Sequence, residues 1–406
     1  MQIHTDSERV EGSFILFTCY TGRMSSEVLE LCREMVAIPS INPQDRTEYA
    51  EPLGEARMAD FVTDWLDRQG LAPQRQTAKP GRDNIVAVAE GNDASRSFLL
   101  CAHTDTVGVE GMTIDPFDPV VRDGKLYGRG SCDTKASLAC MMIAFRNRVQ
   151  AGDLPCNLVL LASCGEEYDT CGANHYARQC GESLAGAVFG EPTQLKVITA
   201  HKGVVRFRLT AAGLSAHSST PQLGDNAIYH LAEFIPVLKN FADALSQNTN
   251  HPHLGCETLA VTQIKGGHQI NVIPDRCEAL IDWRILPGRS VDGCQEELSD
   301  YLAETAGMAR PTIEHIGYYA PMETAADHGF TGQLLKAVEC VLGAAETDVV
   351  AYGTDASGFA HLDIPSLVLG PGDIAQAHTE DEYIEIDQLE KGLAVHEAFL
   401  QGDWGV

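Results

Sequence analysis

Little in this chain is basic. Lys and Arg total 29 against 57 Asp and Glu in 406 residues, a formal charge of -28. Such a surface repels phosphate backbones and anionic headgroups, which argues against nucleic acid and membrane as partners. No apolar run approaches the length of a membrane span. No C-x-x-C pair occurs, which removes the commonest structural-zinc and dithiol-redox signatures. No G-x-S-x-G elbow supports a serine hydrolase, and the "GRG" at 128–130 is far from a phosphate-binding loop. Internal repeats and low-complexity tracts are also missing.

What is present is a soluble, mixed composition, 44% hydrophobic and 21% charged, in a chain too long for one ordinary core. Two domains are therefore expected. The thirteen cysteines are an odd number, and several sit inside apolar runs (Cys101, Cys140, Cys277). They read as free thiols of a reducing cytoplasm. Residues 1–23 show no clear periodicity, and their "FILFTCY" lacks the basic flank of a signal peptide. They are expected to be a dispensable extension, which deletion would test.

The periodicity gives an order of elements. An amphipathic helix starts just after Met24, with Val28, Leu31, Cys32 and Met35 on one face, and ends at Pro39. A second helix is expected over roughly 51–69. Apolar strands follow at about 84–90, 97–103, 157–163 and "GAVFGE", separated by helices near 135–150 and 170–180. Alternating strands and helices of this kind predict an α/β fold, a mostly parallel sheet flanked by helices. From about 203 the order becomes β-α-β-β-α-β, a ferredoxin-like α+β unit. Buried-strand patterns return at "TDVVAY" and "PSLVLG", before a closing helix at 387–401. The expected organisation is a catalytic domain in two parts, 24–202 and 320–406, interrupted by an inserted lid domain at 203–319.

The chemistry lies at the strand ends. "FLLCAHTD" ends in His103 and Asp105, and "GKLYGRGSCDTK" brings Asp133. "LVLLASCGEE" brings Glu166 and Glu167, "AVFGEP" brings Glu191, and "SLVLGPGDIAQAH" brings His378. Open α/β sheets bind ligands at the carboxyl ends of their strands. Singly, each residue has an ordinary explanation: Asp133 as a helix N-cap, the glutamate pair as solvated charge. Together, imidazole and carboxylate without thiolate suit zinc, cobalt or manganese. The surplus of carboxylates suits a pair of ions roughly 3.5–4 Å apart. Of two adjacent glutamates, one can then bind metal while the other stays free to move a proton.

The motifs "HTDTV", "DGKLYGRGSCDTK", "GEE", "GEPT", the lid "AH", "GG" with "NVIPDR" and "LPG", "GTDA" and the late "AH" make residues 25–402 resemble a known family. It is the dinuclear-zinc amidohydrolase/peptidase family that holds acetylornithine deacetylases, succinyl-diaminopimelate desuccinylases, aminoacylases and glutamate carboxypeptidases. The resemblance implies a zinc-exopeptidase-like fold and two divalent ions per subunit, zinc or cobalt. His103, Asp133 and Glu191 would hold one ion, and Asp133, Glu167 and His378 the other, with Asp133 bridging. Glu166 would be the general base and Asp105 the group that orients His103. His217 of the lid would stabilise the oxyanion, delivered across a homodimer. Arg284 would clamp the substrate α-carboxylate, Asn271 would hydrogen-bond nearby, and Asp355 would meet a substrate ammonium.

Segments "GEPTQLKVITAHKG", "AHSSTPQLGDNAI" and "LVLGPGDIAQAHTEDEYIE" resemble the acetylornithine deacetylase branch most. That branch implies a small N-acyl amino acid as substrate, N2-acetyl-L-ornithine first, in arginine biosynthesis. Some of its members carry Cys-Thr-Glu-Ala where this chain has "GTDA", and "INVIPDR" is closer to the wider family. Desuccinylase and aminoacylase or dipeptidase activity are the alternatives, and a metal-binding protein without catalysis is the alternative from another class.

Overall fold

A computed structural model describes residues 24–46, 48–180, 184–304, 310–402 and 404. The expected extension, 1–23, lies outside the described residues.

The first helix, α1 (Met24–Val36), buries Val28, Leu31, Cys32 and Met35, the face its periodicity predicted. The second, α2 (Ala56–Arg68), starts five residues later than its pattern suggested. Pro52 and Gly54 explain the delay, since Gly54 has φ +92 and the Tyr49 ring stands 2.3 Å from where a Cβ would be. Then come β1 (Gln74–Lys79), β2 (Arg82–Ala89), β3 (Asp93–His103) and the short hairpin β4 (Val120–Arg122) and β5 (Lys125–Tyr127). They are followed by α3 (Lys135–Ala151), β6 (Cys156–Ser163), α4 (Cys171–Cys180), β7 (Leu184–Phe189) and β8 (Val197–His201).

The chain then leaves this layer. A separate four-stranded antiparallel sheet is built from β9 (Gly203–Ala212), β11 (Thr258–Gly266), β13 (Arg276–Ile285) and β14 (Thr312–Tyr319), after the two-residue β10 (Ala216–His217) pairs with β12 (Val272–Ile273). Its order is β11-β13-β9-β14, the order of a ferredoxin-like unit. The helices α5 (Ala227–Asn248) and α6 (Val291–Ala303) cover one face. On α5 the buried residues Leu231, Phe234, Leu238, Phe241 and Leu245 recur at three and four positions, a helical stripe. They meet alternate residues of the sheet: Phe207 and Leu209 from β9, Ile281 and Trp283 from β13.

The chain returns through β15 (Met322–Glu323), α7 (Gly329–Leu342), β16 (Thr347–Val350), β17 (Ser366–Val368), β18 (Tyr383–Glu385) and α8 (Ile386–Gln401). Helix α7 was not anticipated, although Phe330, Leu334, Ala337 and Val338 make a buried stripe at helical spacing. The large sheet has the order β1-β2-β6-β3-β7-β17-β8-β15, with β16 beside β8. Its centre, β6-β3-β7-β17, is parallel, and antiparallel pairs close the flanks.

Pleating sends successive side chains of the central strands to opposite faces. Phe98, Leu100 and Ala102 join a core with α1, α2, α3, α7 and α8, while Leu99 and Cys101 pack with α4 and Phe359 on the other side. Phe98, Phe330, Phe399 and Trp404 stack there with centroid distances such as 5.6, 5.4 and 5.3 Å from Phe98. Register aligns the functional edge. His103 pairs with Ser163, and Cys101 with Phe189, so β3, β6 and β7 end together. Among the described residues no helix is long and apolar enough to cross a membrane.

One core residue does not belong to this apolar chemistry. His396 of α8 is fully buried, and both ring nitrogens lack a hydrogen-bond partner. Burial drives its imidazole down from 6.5 to about 4. The folded protein holds it neutral, so its contribution is intact above pH 6.5 and is lost as pH falls towards 4. Between pH 7 and 5 this group should cost about 2 kcal/mol of stability. In urea titrations, His396→Leu should lose less stability over that interval than the wild type; an identical loss would contradict the assignment.

Candidate active site

Each side chain is delivered by the end of a strand. His103 is the last residue of β3 and is buried. Two residues on, Asp105 is wholly buried and its carboxylate accepts four N–H groups. They come from the backbone of Gly165 (2.9 Å), Glu166 (3.1 Å) and Glu167 (3.1 Å), and from the Asn42 side-chain amide (2.6 Å). Asp105 thus fixes the loop after β6 that carries both glutamates. Its expected task, orienting His103, falls to its backbone instead. The His103 Nδ1 lies 3.0 Å from the Asp105 carbonyl oxygen, against 3.7 Å from the carboxylate. Asn42 carried no signal in the sequence, since an Asn before Pro reads as a turn.

Asp133 stands between the two imidazoles. Its Oδ1 lies 3.1 Å from His103 Nε2 and its Oδ2 lies 3.3 Å from His378 Nε2. Glu167 reaches His378 at 3.2 Å, and Glu191 approaches His103 at 3.9 Å. Ligand atoms of His103, Asp133 and Glu167 fall within 4.8 Å of one another, as do those of His103, Glu166 and Glu191. The six residues read from five separate strand ends or loops therefore meet at one place.

Asp133 is held in turn by Glu382, a residue the sequence did not single out. Glu382 is buried and accepts from the backbone N–H of Gly130 (3.1 Å), Cys132 (2.9 Å) and Asp133 (3.0 Å) and from Arg129 Nη1 (2.6 Å). Behind it the buried Lys135 donates to the carbonyls of Met35 (3.1 Å) and Ile38 (2.8 Å), tying the start of α3 to the end of α1. His378 sits on the rim, about half exposed at 53%, with φ 63.

So many acids in a dry place cannot all ionise unaided. Burial, then the charge of Glu191, pushes the Glu166 carboxyl well above its usual range. Burial, then Asp133, does the same to Glu191, and raises Glu167 to about 7. Asp133 is the exception. Burial opposes its charge, but hydrogen bonds from His103 and His378 hold it below the ordinary value. The His378 imidazole is raised to about 10 by its hydrogen bonds to Asp133 and Glu167. Protons on the imidazoles and glutamates occupy the role a cation would fill. Glu167 Oε1 is also buried without a partner. An orphaned carboxylate oxygen and a donor set of imidazole and carboxylate fit a pair of divalent ions.

The residues expected to hold substrate are not brought to the cluster. His217 is exposed at the tip of the small sheet, its Nδ1 2.8 Å from Ser219 Oγ, and the exposed Asn271 lies beside it through Ser218 N–H to Asn271 C=O (3.0 Å). Arg284 on β13 donates through Nε to Asp282 (2.7 Å), which also accepts from Arg206 (3.1 Å). Among the described residues no hydrogen bond or ion pair joins these three to the cluster. Asp355, expected to meet a substrate ammonium, is instead 3% exposed under the cluster. It accepts from Ser163 Oγ and, at 3.7 Å, from Cys101 Sγ. Tyr352, unmarked in the sequence, has a buried hydroxyl without a partner. Burial and the charges of Glu191 and Asp133 raise its phenol.

Comparison with known proteins gives the family and the fold. Residues 99–402 match Peptidase family M20/M25/M40. An acetylornithine deacetylase of Proteus mirabilis is 33% identical over 369 residues, covering 89% of this chain and 93% of that protein. Among solved structures, an M20 family metallo-carboxypeptidase of Sulfolobus solfataricus superposes with a TM-score of 0.75 at 20% identity, covering 92% of this chain and 98% of the other. A Bacillus subtilis protein described as a dinuclear metal binding peptidase of the M20 family gives 0.67 at 14% identity, covering 93% and 98%. These structural matches are likenesses of fold.

Because the raised glutamates and imidazoles hold protons that a cation must displace, divalent-ion affinity should tighten as pH rises. The change should be about tenfold per pH unit for each proton released. Calorimetric titration of chelator-stripped protein with zinc, in two buffers of different ionisation enthalpy, should show net proton release. Equal heats in both buffers would contradict the electrostatic picture.

Proposed function

The chain belongs to Peptidase family M20/M25/M40 and is a metal-dependent hydrolase; from that premise we propose that it cleaves the amide bond of N-acyl amino acids, with N2-acetyl-L-ornithine as substrate and L-ornithine and acetate as products. The observation that carries the reaction type is Glu166, a partly buried glutamate adjoining the His103–Asp133 cluster on a loop clamped by Asp105. The Proteus mirabilis relative, an acetylornithine deacetylase, supports the acyl-ornithine reading, and a place in arginine biosynthesis is part of the same proposal.

In this proposal His103, Asp133 and Glu191 hold one divalent ion, and Asp133, Glu167 and His378 the other, zinc or cobalt. Asp133 suits the shared position because each of its oxygens faces a different imidazole. The bound ions supply Lewis-acid polarisation of the acyl oxygen and acidify water at neutral pH. Glu166 takes the proton of the attacking water and hands it to the leaving nitrogen. Asp105 keeps Glu166 still by holding its backbone N–H. His217 donates to the developing oxyanion when the lid closes. The Arg284 terminal nitrogens, left free while Nε is on Asp282, take the substrate α-carboxylate in a two-bond fork, with Asn271 alongside.

A homodimer through the lid goes with this reading. The edge strand β11 exposes Ile264 at 52%, and Leu223 and Tyr229 are exposed at 67% and 70% on the same unit. An unpaired edge with apolar side chains favours a second copy of itself. In sedimentation velocity, Ile264→Lys should shift the population towards monomer; a wild type that is monomeric at micromolar concentration ends the proposal.

The substrate test is a deacylation screen of N-acetyl, N-succinyl and N-formyl amino acids with zinc or cobalt added. N2-acetyl-ornithine should be the best substrate. Succinyl-diaminopimelate as the best substrate would move the reading to desuccinylase, and a dipeptide to peptidase. Glu166→Gln should keep metal binding while losing on the order of 10²–10⁴ in kcat. Unchanged turnover in that variant would remove Glu166 from the proton-transfer role.

A further inference from the structure

The loop from Cys164 to Cys171 carries both glutamates, and its two ends are cysteines held against each other. The Cys171 Sγ lies 3.7 Å from the Cys164 carbonyl oxygen, which brings the two thiols into each other's neighbourhood. Backbone bonds fix the closure: Gly172 N–H donates to Cys164 C=O at 2.9 Å and Thr170 N–H to Gly165 C=O at 2.8 Å. Gly165, with φ +85, is required there, because a Cβ would stand 2.5 Å from Cys171 Sγ and 3.0 Å from Arg82 Nη2. Thiol and guanidinium thus flank the same point.

The two cysteines differ in a way that gives them separate tasks. Cys164 is fully buried, whereas Cys171 is partly exposed. Cys171 opens α4, its backbone N–H donating to Asp169 Oδ1 at 3.2 Å, with Arg82, paired to Glu55, beside it. An accessible thiol packed next to a second thiol is the arrangement that oxidises reversibly. The absence of C-x-x-C in the sequence hid this pair, because its sulfurs meet across seven positions rather than three.

We propose that Cys164 and Cys171 are a paired-thiol modification site, which closes to an intramolecular disulfide with hydroperoxides, across the loop bearing Glu166 and Glu167. The Cys171 thiolate attacks the peroxide O–O bond. That bond breaks, one oxygen leaves as water, and Cys171 becomes a sulfenic acid. The Cys164 sulfur then displaces the remaining oxygen as a second water, forming the S–S bond. Two electrons pass from the sulfur pair to the peroxide, and the two thiol protons end in water. The site is independent of the substrate reading.

The test uses the full-length, metal-loaded protein treated with hydrogen peroxide, alkylated and then cut by trypsin and a glutamate-specific protease. Cleavage after Glu166 or Glu167 separates the two cysteines unless they are bonded. The expected product is the joined pair, about 2 Da lighter than its free fragments, which dithiothreitol separates. Cys171 should react about tenfold faster than the exposed Cys340. Cys164→Ser should leave a sulfenic acid at Cys171 that a dimedone-type nucleophile traps. Absence of the joined fragments in the wild type, or Cys171 reacting no faster than Cys340, overturns the proposal. The mass readout needs no substrate, so failure of the deacylation reading leaves it intact, and the reverse also holds.

Discussion

Four carboxylates packed into a dry pocket around two imidazoles repel one another, and the rest of the molecule is arranged to hold them there. Asp133, Glu166, Glu167 and Glu191 would separate or take up protons if they rode on mobile segments. The backbones of Asp133, Glu166 and Glu167 are fixed instead by other buried acids. Asp105 accepts three consecutive main-chain N–H groups from the Glu166–Glu167 loop, and Glu382 accepts three from the Asp133 turn. A carboxylate that collects amide dipoles is stabilised without needing a full counter-charge. These anchoring acids can therefore lie close to the cluster, Glu382 with Arg129 at 2.6 Å as its ion-pair partner. The positive counterpart is left for the centre, where it is needed.

The topology makes this possible at low conformational cost. Parallel pairing in register brings the ends of β3, β6 and β7 to one edge, so His103, the glutamate loop and Glu191 converge without long loops. The Asp133 turn is tied through Glu382 to the segment just before β18, and β18 pairs with β5 immediately upstream of that turn. The last third of the chain thus closes the site by two routes, a backbone pairing and a buried carboxylate. The inserted unit has its own core, and among the described residues no hydrogen bond or ion pair joins His217, Asn271 or Arg284 to the cluster.

Much of this was legible because period and chemistry coincide at strand ends. Apolar runs of five to eight residues that terminate in His, Asp or Glu mark both a strand and its functional edge. Four of the six converging positions were on or directly after such runs, and Asp133 and His378 followed "KLY" and "SLVLG" at a loop's distance. The lid was legible because its strands alternate strictly, as in Arg276–Ile285. What could not be read were partnerships. Glu382 looks like any glutamate in "TEDEYIE", and only the fold shows it buried beneath Asp133. Asp355 looked like a pocket residue by its motif, whereas Ser163 draws its carboxylate beneath the floor. Helix α7 carried a readable stripe that was missed between two stronger strand signals. Sequence reports what a residue prefers; it does not report which distant N–H it will accept.

The division between floor and lid also bears on how specificity can vary within one chemistry. The floor residues are constrained twice, once by the charge they share and once by the backbone groups that anchor them, so a substitution at Asp105 or Glu382 disturbs the placement of several others together. His217, Asn271 and Arg284 carry no such double constraint. His217 and Asn271 are exposed on the short β10–β12 pairing and the turn beside it, and Arg284 is half-exposed on a strand whose opposite face is helix-covered. A change at any of them leaves the core of that unit, and the acids of the cluster, in place. The cluster is fixed where burial makes each acid depend on the next.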